Sequence, residues 1–265
     1  MLACSHPAAY SPGGEVIDGL VRRNFVVCSR DIARLEQCPA TRVYRLDKKL
    51  EEKPHAGLFW GIILHRFLQY ATERGPEAAR AYIATKKWKE LIKLCLAIDL
   101  DAIPPGQCEI GYAHNPFDGT ARPIFGAFGV NQLNPVNEQW GQADLLADPR
   151  PGKPRYLLAD YKTGVADEEP IENTQLLGLG TSAIRALGLD AIDVALVRVF
   201  ASGQLEWRTQ TLTREGAGIW ENRARRVHVL VLQERRKADK GQRSEFVRGS
   251  KCEYCDLRKV CPAWR

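Results

Sequence analysis

Apolar and polar positions recur at two periods along this chain, and the alternation between those periods lays out its elements. Residues 57–73, GLFWGIILHRFLQYATE, are almost wholly apolar and long enough for a buried helix. A second helix is predicted over 76–98, with Lys86, Lys87, Lys89 and Lys93 turned outward and Leu91, Ile92 and Leu94 free to pack. Period-two runs follow, from Glu138 to Ala147 and from Arg155 to Thr163, separated by Asp148-Pro149-Arg150-Pro151-Gly152-Lys153-Pro154, which predicts a turn. A third strand is predicted over 191–200 and a fourth over 204–211, joined as a hairpin around Ala201-Ser202-Gly203. Between the two strand pairs, Pro170 starts a helix that reaches about Leu187, and Thr213 starts a long basic helix that reaches about Lys237. Nearer the N-terminus, Ser29 is placed to cap a short helix over 30–37 that ends at Cys38-Pro39, with a further helix over 39–49.

Two regions carry no such period. Residues 1–27 read as a loose leader, and 104–137 mix short extended pieces with Pro, Gly and Asn. The order of elements predicts an α/β protein with a mixed sheet rather than a doubly wound one. Residues 28–265 read as one domain: a helical part over 28–103, a core over 104–212, then the basic helix and a cysteine-rich tail over 213–265.

Composition narrows the setting. No apolar run is long enough to cross a membrane and the N-terminus lacks a signal-peptide pattern, so a cytoplasmic protein is expected. The net charge of +6 permits a polyanionic partner, and basic residues gather at Arg223, Arg225, Arg226, Arg235, Arg236, Lys237, Lys240, Arg243 and Arg248. Eight cysteines in a reducing compartment argue against a disulfide framework. Cys252, Cys255 and Cys261 crowd the last fourteen residues, whereas Cys4, Cys28, Cys38, Cys95 and Cys108 are scattered.

Candidate chemistry concentrates in two places. Asp144 and Asp160 lie equally far from Gly152, so a hairpin symmetric about that glycine sets them opposite each other. Directly opposed residues have Cβ atoms about 4.5–5.5 Å apart, and like charges that close repel unless a cation lies between them. Lys162, on the same strand face as Asp160, is one such cation, and a divalent metal is the other. The plain alternative is a surface strand with a salt bridge. Leu157, Leu158 and Ala159 argue against it by marking the strand as buried. His65 within the apolar helix can add an imidazole ligand, although a lone histidine there is more often simply packed. Gln175, early in the helix after the second run, can hydrogen-bond substrate or water.

The second place is the tail. Three thiols within ten residues are a metal signal, and a closed site needs a fourth. Cys38 is the best candidate because it alone is followed by proline, as Cys261 is. A Cys-Pro ending is familiar from iron–sulfur sites, zinc being the alternative occupant. Either would tie residue 38 to the end of the chain.

With those residues in view, the chain resembles the PD-(D/E)xK nuclease superfamily. It looks most like the RecB-type branch that includes CRISPR-associated iron–sulfur nucleases. Gly141-Gln142-Ala143-Asp144 matches the G-x-x-D of that family, and Asp160-Tyr161-Lys162-Thr163-Gly164 matches its D-x-K-T-G. His65 falls at the helical metal-binding histidine, the four cysteines Cys38, Cys252, Cys255 and Cys261 match the cluster cysteines, and Glu109 matches a less constant acidic position. Gln175 matches the first residue of Q-x-x-x-Y, but Leu179 stands where the tyrosine would be.

The resemblance implies a restriction-endonuclease-like fold whose N-terminal helices and C-terminal tail are stapled by a structural [4Fe–4S] cluster. It implies magnesium or manganese held by His65, Asp144, Asp160 and the Tyr161 carbonyl, with Asp144, Asp160, Lys162 and Gln175 in the catalytic site. It further implies phosphodiester hydrolysis on DNA, with single-stranded ends as substrate, in repair, recombination or CRISPR adaptation. The alternative is a nucleic-acid-binding subunit that works only with an integrase-like or helicase partner.

Overall fold

A seven-stranded mixed sheet organises the chain, with helices packed on both faces. The computed structural model describes residues 16–17, 20–21, 27–43, 56–124, 133, 137–163, 168–242, 244–249, 252, 255, 257–258 and 261–263. Most of the expected leader, Cys4, Gly164 and the second half of the helix expected over 39–49 lie outside the described residues.

The strands in chain order are β1 (Val16–Ile17), β2 (Leu20–Val21), β3 (Val27–Cys28), β4 (Gln107–Asn115), β5 (Thr120–Ile124), β6 (Gln139–Ala147), β7 (Leu157–Lys162), β8 (Ala191–Val199) and β9 (Leu205–Thr213). The first two pair only with each other. The main sheet runs β5-β4-β6-β7-β8-β9, with β3 alongside β6. Its pairs are antiparallel except β7 with β8 and β3 with β6. The parallel step between β7 and β8 requires a crossover, which helix α5 (Thr174–Leu187) supplies.

The remaining helices are α1 (Ile32–Gln37), α2 (Ala56–Arg74), α3 (Pro76–Ala84), α4 (Lys89–Ala97) and α6 (Arg214–Asp239). One face of the sheet is covered by α2, α3 and α4, where Leu64, Phe67, Leu68, Ile83 and Leu91 meet Leu145, Ala159 and Tyr161. The other face is covered by α5, whose Leu176, Leu179, Ala183 and Ile184 meet Ala143, Leu158 and Val194. Beyond it α1 and α6 share a smaller core built on Ile32, Leu35, Trp220 and Val227. The mixed sheet between helical layers is the architecture that the order of elements predicts.

Three local expectations change. The helix expected over 76–98 is two helices, broken across 85–88. Thr85 turns its hydroxyl back onto the Tyr82 carbonyl at 2.8 Å, one of the ways a threonine competes with helical hydrogen bonding. Ser29 does not cap a helix through its side chain. Its hydroxyl lies 3.4 Å from the Trp140 carbonyl, and a Cβ built on Gly178 would come within 2.5 Å of it. Ser29 is thus part of a close helix–sheet contact that only glycine permits at 178. The α5 helix begins at Thr174, four residues later than Pro170 suggests, because the Asn173 side chain accepts the Leu176 N–H and sets the start there.

Candidate metal and nucleic-acid site

The hairpin of β6 and β7 is symmetric about Gly152, which takes a positive φ of 74°. Leu146 pairs with Leu158 and Leu145 with Ala159, in the register that would next set Asp144 against Asp160. That pair does not form. Instead the Asp144 carboxylate leaves the ladder and accepts the Tyr161 N–H at 2.6 Å. On its other side, the β4–β6 register also skips one position, Glu109 opposite Asp144, and resumes unshifted at Ile110 and Ala143. Glu109 has a φ of 55°, the left-handed region that a non-glycine residue seldom occupies. Pairing therefore lapses on both sides of Asp144, which releases backbone and carboxylate groups from the ladder there.

Into that opening α2 delivers His65. Its Nδ1 lies 2.9 Å from Asp144 Oδ1 and its Nε2 lies 3.1 Å from the Tyr161 carbonyl. His65, Glu109 and Asp144 each offer an atom such that all three lie within 4.8 Å of one another, the one group of this kind among the described residues. Asp160 is fully buried one residue before Tyr161. Its Oδ2 lies 2.5 Å from Lys162 Nζ and its Oδ1 accepts the Gln175 amide at 2.8 Å. Lys162 also donates to Gln175 Oε1 at 3.3 Å, so the three side chains close a ring. The nominated residues, from α2, β6, β7 and α5, fall in two adjoining groups, His65 and Asp144 around Tyr161, and Asp160 with Lys162 and Gln175. Asp160 lies outside the set of mutual donors that His65 and Asp144 form with Glu109.

The electrostatics are those of a site crowded with acid. Burial pushes the Glu109 carboxyl up to about 7, and the Asp144 charge adds to it. Burial and then Asp144 likewise raise Asp160, against the pull of Lys162. Burial alone would lower His65, but the Asp144 carboxylate overrides it and carries the imidazole to about 9. Two neighbouring carboxyl groups, Glu109 and Asp160, held above their ordinary range are the signature of a pocket short of positive charge. Oxygen and imidazole donors at this spacing suit a hard divalent cation, which would compete with the His65 proton.

The glycine of G-x-x-D and the missing tyrosine explain each other. A Cβ on Gly141 would come within 2.9 Å of Leu179 Cδ2, so α5 sits directly on β6 at this point. Leu179 is fully buried in the core under the sheet. Position 179 packs the interior here, and a tyrosine hydroxyl would have no water and no open partner there.

The four nominated thiols also converge. Cys38, Cys252, Cys255 and Cys261 line one pocket together with Arg34, Gln37, Thr41, Val247, Arg258 and Ala263. Cys252 Sγ accepts the Gly249 N–H at 3.3 Å and lies 3.9 Å from Gln37 Nε2. Burial raises the Cys38 thiol, and the neighbouring Cys261 and Cys252 add to it. Cys95 and Cys108 lie apart from this pocket, each pushed up to about 12 by burial, as inert core thiols are.

Glu109 is the site residue that sequence reasoning leaves weakest. Its φ and the lapse in strand pairing accompany its approach to His65 and Asp144, and neither is written in residue type. No helix among the described residues is long and apolar enough to cross a membrane.

A family model described as the PD-(D/E)XK nuclease superfamily matches residues 30–262. Among solved structures, the chain is similar to a "Putative exonuclease" from Eubacterium rectale, with a TM-score of 0.51 and 11% identity over 94% of each chain. A second, SSO0001, has a TM-score of 0.36 and 13% identity over 78% of this chain and 85% of its own. No curated protein matches.

Proposed function

Because the chain belongs to the PD-(D/E)XK nuclease superfamily, we propose that it is a magnesium- or manganese-dependent deoxyribonuclease that hydrolyses single-stranded DNA from its ends. The observation that carries this reading is the convergence of His65, Asp144, Asp160, Lys162 and Gln175 on one short stretch of β7.

His65, Glu109 and Asp144 would supply the donors for a divalent ion, with Asp160 and the Tyr161 carbonyl next to them. Bound there, the ion supplies Lewis-acid charge neutralisation on the phosphate. Lys162 is 38% exposed at its side chain, so its ammonium reaches from the buried Asp160 to the cleft surface. There it stabilises charge that builds on the attacked phosphate oxygens. Gln175 holds Lys162 and Asp160 in a fixed mutual geometry, and fixed donors need no reorganisation during reaction. The Asp144 carboxylate accepts the Tyr161 N–H while His65 lies against the Tyr161 carbonyl, so both polar groups of that residue's backbone are engaged at the site.

Motif content supports the RecB-type branch, and the free cysteines support a reducing, cytoplasmic setting. The direct test is manganese-dependent cleavage of end-labelled oligonucleotides by the purified protein. Single strands should be shortened progressively while blunt duplexes and closed circles survive. Equal attack on closed single-stranded circles would remove the end requirement, and no cleavage of any strand would remove the assignment.

We further propose that Cys38, Cys252, Cys255 and Cys261 hold a [4Fe–4S] cluster. The pocket fits: four thiols line it, and two arginines, Arg34 and Arg258, line it with them to balance thiolate charge. Such a cluster fastens the end of α1 to the tail, more than two hundred residues away. Protein prepared without oxygen should be brown, absorb near ~400 nm and contain about four iron and four sulfide per chain. One zinc per chain without sulfide would refute the cluster and leave the nuclease reading untouched.

A further inference from the structure

Beside the metal site, α2 and α3 build an aromatic and cationic column that the nuclease chemistry does not use. The Tyr70 and Tyr82 rings stack with centroids 4.8 Å apart and planes 10° from parallel. Over Tyr70 lie two guanidinium groups, Arg66 at 5.1 Å and Arg74 at 4.7 Å from the ring centroid. Over Tyr82 lies the Lys86 ammonium, at 4.1 Å. Helix packing alone asks only that the two rings meet; it does not ask for cations on both of them.

The column abuts the site. Arg66 follows the metal-site residue His65 directly, and its charge acts on Glu109 in one direction and on Tyr82 in the other. Lys86 lies in the break between α3 and α4, which continues through Lys87 to Trp88, an indole 45% exposed between lysines. From residue 66 to residue 89 there are six arginines and lysines against two glutamates, Glu73 and Glu77. Glu77 is paired with Arg80 and Glu73 accepts from Gln69. The surface therefore offers a file of positive charges seated on stacked rings, with the exposed Trp88 indole at its end. Basic residues combined with an open aromatic face are what follow a single strand through its phosphates and bases.

We propose that Arg66, Arg74 and Lys86, set by the Tyr70–Tyr82 stack and extended by Trp88, form the subsite that holds the DNA strand as it leads to the metal centre. This inference rests on the proposed nuclease reading for its substrate. Stacking against the rings fixes where the cations stand, so less side-chain freedom is lost when phosphates arrive.

The test measures binding apart from cleavage. Full-length protein is titrated with a fluorescent twenty-residue oligo-dT in chelator, across a series of salt concentrations. The comparison is between wild type, Arg74→Gln/Lys86→Gln, and a control that removes the same charge at the distant β6–β7 turn, Arg150→Gln/Lys153→Gln. Matched circular dichroism and melting midpoints show that all three are folded. Each phosphate contact on a single strand contributes about 0.7 to the slope of log K against log salt. The column variant should lose about 1.4 from that slope and bind roughly tenfold or more weakly at low salt, with the control close to wild type. An unchanged slope, or an equal loss in the control, overturns the subsite, as does a preference for an acidic peptide or anionic vesicles over oligo-dT. Wild type that binds oligo-dT through the column yet cleaves nothing with manganese overturns the nuclease reading instead.

Discussion

Asp160→Asn should abolish metal-dependent cleavage while the protein melts at or above the wild-type temperature. The loss of activity follows from the position of the carboxylate, which touches both Lys162 and Gln175 and shares the field of Asp144 and His65. A metal-site charge of this kind is worth several kcal/mol of transition-state stabilisation, or roughly a thousandfold or more in kcat. The gain in stability follows from the same burial. Desolvation and Asp144 raise the Asp160 pKa, so the folded state holds its proton more tightly than the unfolded state does. For a carboxyl group that sign means stability is present at low pH and is lost as pH rises through the folded pKa. At neutral pH the ionised Asp160 is therefore a net cost to the fold. Asparagine keeps the shape and a partner for Gln175 but removes the charge. Titration calorimetry with manganese, cleavage kinetics and thermal melts on one preparation distinguish the two effects. A variant that loses activity because it melts earlier would show Asp160 to be structural, and one that cleaves at wild-type rate would remove the site.

Glu221→Gln should do the opposite, with a large loss of stability by a residue outside the metal site. Glu221, on α6, accepts two hydrogen bonds from Arg185 of α5, both at 2.7 Å, and lies 3.1 Å from His114 Nε2 of β4. His114 is fully buried, and Gln139 of β6 lies 2.9 Å from its other ring nitrogen. One carboxylate thus joins two helices to two central strands. Removing its charge leaves Arg185 and His114 poorly compensated, which costs about 3–5 kcal/mol, a large share of a typical domain's stability. Burial alone would raise the Glu221 pKa, but His114 and Arg185 win and lower it to about 2. A depressed folded pKa gives stability that is whole above the unfolded value and is lost as pH falls toward 2. The wild type should lose about 3 kcal/mol of unfolding free energy between pH ~4.5 and ~2 from this group, whereas the glutamine variant is flat there for this contribution. Urea unfolding at successive pH values measures both numbers. A variant within about 0.5 kcal/mol of wild type would show that the network is replaceable.

The two predictions set apart two ways in which a carboxylate behaves in this molecule. Glu221 is a buried acid with the Arg185 guanidinium and the His114 ring already against it, so it holds the fold. Asp160 and Glu109 are buried acids with too few cations, so they impose a cost on it. Such a cost persists where function needs it.

Much of this was legible in the order of residues. The hairpin between β6 and β7 is symmetric about Gly152 because Pro149, Pro151, Gly152 and Pro154 allow little else, and side-chain alternation then places Asp160 and Lys162 on one face. The sequence places Gln175 early in the helix that follows β7, and it does lie against Asp160 near that strand's end. Cys38 and the tail cysteines could be grouped because thiols that share a site reveal themselves by type and by the prolines that follow two of them. These features are local, or are repeated by chemistry.

Tertiary structure alone decided the rest. Asp144 does not face Asp160 across the ladder, because its carboxylate bonds the Tyr161 N–H and the lapse at Glu109 frees it to do so. Leu179 stands where the family has tyrosine because α5 rests against Gly141, a distance set by two elements thirty-eight positions apart. The Tyr70–Tyr82 column arises because α2 and α3 fold back on each other. Sequence by itself determines which chemistries the chain can offer and which stretches carry them, since hydrogen-bonding capacity, charge and period belong to residues. Which groups meet, and at what pKa, belongs to the packing, because burial and neighbouring charge are properties of a place and not of a residue.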